Sequence, residues 1–76
     1  MATSVTLREM RARLLHEALL AHPELVERVE DIARLPRVSR WTPLARDVAI
    51  ADLAGEGLIT EAADGRLCVR PRGRLL

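Results

Sequence analysis

The side chains able to do chemistry in this sequence are mainly arginines, and they fall in two groups. Arg37, Arg40 and Arg46 surround Thr42, with Ser39 among them. Arg66, Arg70, Arg72 and Arg74 crowd the C-terminal end, where no acid follows Asp64. A guanidinium keeps its charge at any physiological pH and offers a planar fork of donors, which suits phosphate oxygens and guanine edges. The hydroxyls of Ser39 and Thr42 could add contacts where a helix begins. Together these nine residues are the candidate contacts to double-stranded DNA.

Other chemistries find less support. His16 and His22 are six apart, which does not match the i, i+4 pair that metal-binding helices use. Cys68 is remote from both in sequence, reads as a small buried hydrophobe, and alone cannot hold a structural zinc. Nucleophilic catalysis needs a serine or cysteine beside an oriented base, and no motif places a histidine next to Ser4, Ser39 or Cys68. Gly55 and Gly57 fall at the end of an expected helix, whereas a phosphate-cradling loop opens one. Glu30 and Asp31 are adjacent, so on a helix they point apart. The expectation is a protein that is not an enzyme and uses no cofactor or metal.

Length and composition narrow the class. The chain of 76 residues makes one domain with a small core. Hydrophobic residues at 49% and charged residues at 30% describe a globular chain rather than a disordered one. No apolar run approaches the roughly 20 residues of a membrane span. The N-terminus lacks a basic-then-apolar signal, so the expected location is cytoplasmic. All 12 basic residues are arginine, and Lys, Asn, Gln, Phe and Tyr are absent. Those missing types have A/T-rich codons, which points to a GC-rich bacterial or phage genome. Asn and Gln are the usual readers of adenine, so direct base reading would fall to Arg, Ser, Thr, Asp or Glu.

The elements that would position the arginines can be read from periodicity. Thr6 and Glu9 form a capping-box pattern, with Val5 and Met10 placed as a hydrophobic staple. Leu7, Met10, Leu14, Leu15, Ala18 and Leu19 then recur at helical spacing, predicting a first helix over about 7–21. Arg8, Arg11 and Arg13 lie toward its polar side and are expected to pair with nearby acids on that helix. Pro23 opens a second helix, expected over 23–34 and closed by Pro36. It is acidic, with Glu24, Glu27, Glu30 and Asp31 against Arg28 and Arg34. Thr42 followed by Pro43 caps a third helix to about residue 55, with Leu44, Val48 and Ala51 on one stripe and Ile50 and Leu53 on another. From Leu58 the period changes. Residues 58–62 and 66–70 read as strands around Asp64-Gly65, a strong hairpin signal, and a basic tail follows over 71–76.

The expected fold is therefore mainly α with a small β-hairpin: three helices plus a two-stranded wing in a single domain over 1–76. Residues 50–70 resemble the end of a winged helix-turn-helix domain of the ArsR and MarR type. Ile50, Leu53, Gly57, Leu58 and Ile59 match the close of the recognition helix and the turn into the first wing strand, and Asp64, Gly65, Arg66 and Val69 match the wing. The run from Asp47 through Leu53 to Ile59, with Gly73 downstream, also resembles small regulators of Mu-like phages. The resemblance implies that the third helix is the recognition helix, the second its partner, and 58–70 the wing. It implies a DNA-binding transcriptional regulator that is typically a homodimer.

The net charge is only +1, because acids concentrate in the second helix and around the third. A dipolar distribution of that kind still presents a positive face to phosphates. The third helix, however, carries Arg46 as its only basic residue, beside Asp47, and Val48 and Ala49 stand where polar base contacts are expected. A helix this apolar is usually covered on several sides. The alternative reading is a winged-helix protein-interaction module, a phage-encoded inhibitor or adaptor that does not bind DNA. Trp41, the single aromatic residue, reads as a core or dimer anchor rather than a base-stacking platform. Leu75 and Leu76 are expected to fold back on the first helix or to pack in a dimer.

Overall fold

A computed structural model describes residues 6–72. Two α-helices, three short 3-10 turns and a two-stranded antiparallel sheet make a small, mainly helical α+β fold. Helix α1 spans Leu7–Ala21 and helix α2 spans Pro43–Gly55. The 3-10 turns, Pro23–Leu25, Val29–Arg34 and Val38–Arg40, lie between them. Strands β1 (Ile59–Glu61) and β2 (Leu67–Val69) follow α2.

Local capping explains where both helices start. Thr6 Oγ1 accepts the Glu9 amide at 3.1 Å. Thr42 Oγ1 accepts the Ala45 amide at 3.2 Å, with Pro43 at the first helical position. The staple partner Val5 lies outside the described residues, and Met10 is exposed. Helix α2 ends where Leu58 N donates to Leu53 O at 3.0 Å and Gly57 takes φ 76°. That six-residue closure turns the chain into β1, and glycine adopts the left-handed conformation without steric cost.

The hairpin register pairs Ile59 with Val69, Thr60 with Cys68, and Glu61 with Leu67. A three-residue loop closes it: Ala62 N donates to Arg66 O at 2.8 Å and Gly65 N to Ala62 O at 2.9 Å. Gly65 sits at φ 88°, and a Cβ there would stand 2.5 Å from Arg28 Nη1. The backbone conformation favours glycine here, and a Cβ would also push the Arg28 guanidinium aside.

The predicted second helix does not form. Val26 and Arg28 are extended, and only short 3-10 segments of three and six residues flank them. Two interactions take the backbone out of the helix. Asp31 Oδ2 accepts the amides of Glu27 and Arg28 at 3.1 and 3.0 Å. Leu67 N donates to Glu27 O at 2.8 Å, so this carbonyl joins the edge of β2. A side chain and a strand outcompete the i→i−4 ladder, as they can where β-branched residues weaken it.

One core unites these pieces. Ala12, Leu15 and Leu19 of α1 meet Ala49 and Leu53 of α2, with Ile32, Leu35 and Val38 from the turns and Leu58 and Ile59 from the hairpin. The buried stripe of α1 is not the expected one. Leu15 and Leu19 are buried, but Ala12 and His16 complete that face, while Leu7, Met10 and Leu14 are exposed. On α2, likewise, Ala49 and Leu53 are buried, and Leu44, on the predicted stripe, is 72% exposed. Two apolar stripes fit the period of each helix. Helix contact selects the face with the small Ala12 and Ala49, which let the backbones approach closely. Cys68 is exposed rather than buried, because strand alternation turns Leu67 and Val69 inward.

Candidate nucleic-acid interface

The chain from Pro36 to Arg46 is held rigidly enough to display its arginines. Ser39 N donates to Leu35 O at 2.9 Å, Ser39 Oγ to Pro36 O at 3.1 Å, and Trp41 N to Val38 O at 2.9 Å. Leu35 and Val38 anchor this connector in the core. Arg37 and Arg40 project from it and are exposed; Arg46, one turn into α2, is half-buried. None of the three forms an ion pair among the described residues. The hydroxyls of Ser39 and Thr42 are engaged locally, Ser39 as a donor to the backbone and Thr42 as the helix cap.

The second group is differently placed. Arg66 Nη2 lies 3.5 Å from Glu27 Oε1, and its Nε lies 3.9 Å from Asp64 Oδ2. Arg72 Nη1 donates to Glu56 Oε1 at 3.0 Å. Arg70 is exposed, and its side chain forms no ion pair among the described residues. Its backbone ties the hairpin end to the helices: Arg70 N donates to Leu58 O at 2.8 Å, and buried His16 donates from Nε2 to Arg70 O at 2.7 Å. Arg74 lies outside the described residues, as do Leu75 and Leu76.

Two arginines serve the scaffold in ways the periodicity did not reveal. Arg8 does not pair along its own helix. Its Nε and Nη2 donate to Asp52 Oδ2 and Oδ1 at 2.8 and 2.6 Å, a bidentate clasp between α1 and α2. Arg28 Nη1 donates to Asp64 O at 3.0 Å, fastening the hairpin loop to the extended segment before the second turn. Periodicity pointed Arg28 to Glu24 and Asp31 instead, and for Arg8 it offered no acid at i±3 or i±4.

These clasps set the electrostatics. Hydrogen bonds from Arg8 hold the Asp52 carboxyl below its ordinary 3.8, with the guanidinium charge adding and partial desolvation opposing. Asp52 in turn raises the Arg8 pKa. Asp31 is lowered from 3.8 mainly by the Arg28 amide and then the Glu27 amide. For both acids the folded value lies below the unfolded one. Their stabilisation is therefore complete above about pH 4 and is lost as pH falls through the folded values. Thermal melts between about pH 7 and pH 2 are expected to show Asp52→Asn less stable than the parent at neutral pH, with the gap closing under acid. A gap that stays constant with pH would show that the carboxylate charge of Asp52 is not what Arg8 holds.

The exposed surface of α2 carries Leu44, Asp47, Ala51 and Ala54, which share one face at helical spacing. No arginine lies on it. The arrangement can grip anionic oxygens around the leading end of α2, but it offers few side chains along the helix to read base edges. Among the described residues no group of three His, Cys, Asp or Glu could hold a metal, and no helix is long and apolar enough to cross a membrane.

Comparison with protein-family models, with curated proteins and with solved structures finds no match.

Proposed function

We propose that the protein is a winged helix-turn-helix domain that binds double-stranded DNA and regulates transcription, in a bacterium or a phage. The observation that carries this reading is the set Arg37, Arg40 and Arg46. They lie within a few residues of the capped start of α2 along the chain and have no carboxylate partner among the described residues, while Arg8, Arg34, Arg66 and Arg72 are neutralised by acids. Unpaired guanidiniums beside a helix N-terminus suit phosphate oxygens, because the positive end of the helix dipole adds to their charge. The chain order supports the same reading: α1, an extended segment bonded to β2 through Leu67 N, short turns, α2, then a hairpin. A helix followed by a hairpin is the order of a recognition helix and its wing, with short 3-10 turns standing where the partner helix is expected.

In this reading Arg37, Arg40 and Arg46 hold the backbone around the major groove, with Ser39 and Thr42 alongside. Arg70 reaches phosphate from the hairpin. Arg66 and Arg72 do so by exchanging an exposed carboxylate for phosphate, a cost below about 1 kcal/mol per pair. Arg74 would extend the same tail.

Titration of a generic duplex at low salt tests the reading. Micromolar or tighter affinity that collapses as salt rises is the expected result, since counterion release drives such binding. Arg66→Ala is expected to weaken all sequences alike by several-fold and to reduce the salt slope by about one unit. Unchanged affinity and slope would remove the hairpin from the interface.

The exposed Leu44–Asp47–Ala51–Ala54 face favours a second reading, a protein-interaction module. Absence of any duplex binding at low salt and high protein concentration would select it.

A further inference from the structure

The surface of α2 turned away from the core is made of Leu44, Asp47, Ala51 and Ala54, all exposed. At about 100° per residue they lie opposite the buried Ala49 and Leu53. Asp47 is the one polar side chain on this face, and the scaffold gives it no task. It forms no ion pair among the described residues. It also lies beyond the first turn of α2, which holds no acid, so it does not serve the helix dipole. The face therefore offers one acceptor, apolar carbon on either side, and no donor.

We propose that Asp47 accepts the N4 amine of a cytosine in the major groove, with Leu44 and Ala51 against the methyls of thymines to either side. The proposal rests on the duplex-binding reading above and names the sequence class of that duplex: a C·G pair flanked by T·A pairs. Cytosine shows the groove an amine with no acceptor of its own beside it. Guanine shows two acceptors, and adenine sets its N7 acceptor next to its amine. A carboxylate is repelled by those purine acceptors and has its partner in cytosine. Thymine adds the only methyl, which suits Leu44 and Ala51. Seven residues separate these two, about 10 Å along the helix, or about three base steps. A carboxylate among phosphates weakens binding to every sequence, and that loss is offset only where an amine meets it. Arg37, Arg40 and Arg46 thus supply affinity, whereas Asp47 supplies discrimination, largely by exclusion.

Selection from a randomised duplex pool, followed by titration of single-base variants of the enriched site, tests the proposal. The parent is expected to enrich a cytosine with thymines one or two steps away. Replacing that cytosine should weaken binding about tenfold. Deoxyuridine in place of a flanking thymine removes only the methyl and should weaken it about twofold to fivefold. Asp47→Ala is expected to abolish the cytosine preference while tightening binding to generic duplex, because a negative charge leaves the interface. That sign is opposite to the loss of a phosphate contact. Asp47→Asn is expected to move the preference from cytosine to adenine, whose N6 and N7 an amide matches. Unchanged far-UV dichroism would show that both variants keep the fold. Duplex binding by the parent without base preference, or a cytosine preference that survives Asp47→Ala, would overturn the proposal and leave the phosphate contacts standing. Absence of any duplex binding would overturn it together with the reading beneath it.

Discussion

Leu53→Ala is expected to remove most of the protein's stability near room temperature. Leu53 is fully buried where α2 meets α1, and it also closes the C-terminus of α2 through its carbonyl, which accepts Leu58 N at 3.0 Å. Truncating a buried leucine removes its transfer free energy and leaves a cavity, together about 3 kcal/mol. A domain of this length holds only about 3–5 kcal/mol in total. The core has little to absorb the loss, because it is a single small cluster of eleven buried side chains. Urea titration at fixed protein concentration is the measurement. The midpoint should fall by about 2–3 M, given a slope near 1 kcal/mol per molar for so small a chain. Leu44→Ala, at the exposed position of the predicted stripe, should shift stability by no more than about 0.5 kcal/mol. Equal losses at the two positions would mean that α2 is rotated relative to the description given above.

The second large effect concerns binding. Replacing Arg37, Arg40 and Arg46 together with alanine is expected to lower duplex affinity by several-hundred-fold near 0.1 M salt. The estimate follows from counterion release: three lost phosphate contacts reduce the logarithmic salt slope by about 2.7, which at that salt is nearly three decades of affinity. The triple variant should fold, because none of the three side chains makes an ion pair or hydrogen bond among the described residues that the core depends on. Arg13→Ala is the charge control. Arg13 is exposed on α1 and likewise unpaired among the described residues, and its loss should change affinity less than about twofold. If the control and each single variant of the trio weaken binding alike, attraction is spread over the whole surface, and the leading end of α2 is not the site.

The two experiments probe the two roles that arginine and leucine divide in this chain. Arg8 and Arg28 are structural: one clasps α1 to α2, the other fastens the hairpin loop. Arg37, Arg40 and Arg46 form no ion pair among the described residues. On α1, Leu15 and Leu19 build the core, whereas Leu7 and Leu14 face away from it. The same residue types do opposite jobs, and composition cannot separate them.

What the sequence determined by itself was local. The bounds of α1, the start of α2 and the hairpin were all legible, because Thr6, Thr42-Pro43 and Asp64-Gly65 act on backbone groups only a few residues away. Tertiary structure decided the rest. The segment 23–34 gave up its helix because the Glu27 carbonyl bonds to Leu67, far along the chain, and because Asp31 holds two amides that a helix would need. Packing against α2 chose which apolar stripe of α1 to bury, and the same contact matched Arg8 with Asp52. Each of those outcomes depends on groups that meet only once the chain has folded, so no period or spacing along it could encode them in readable form.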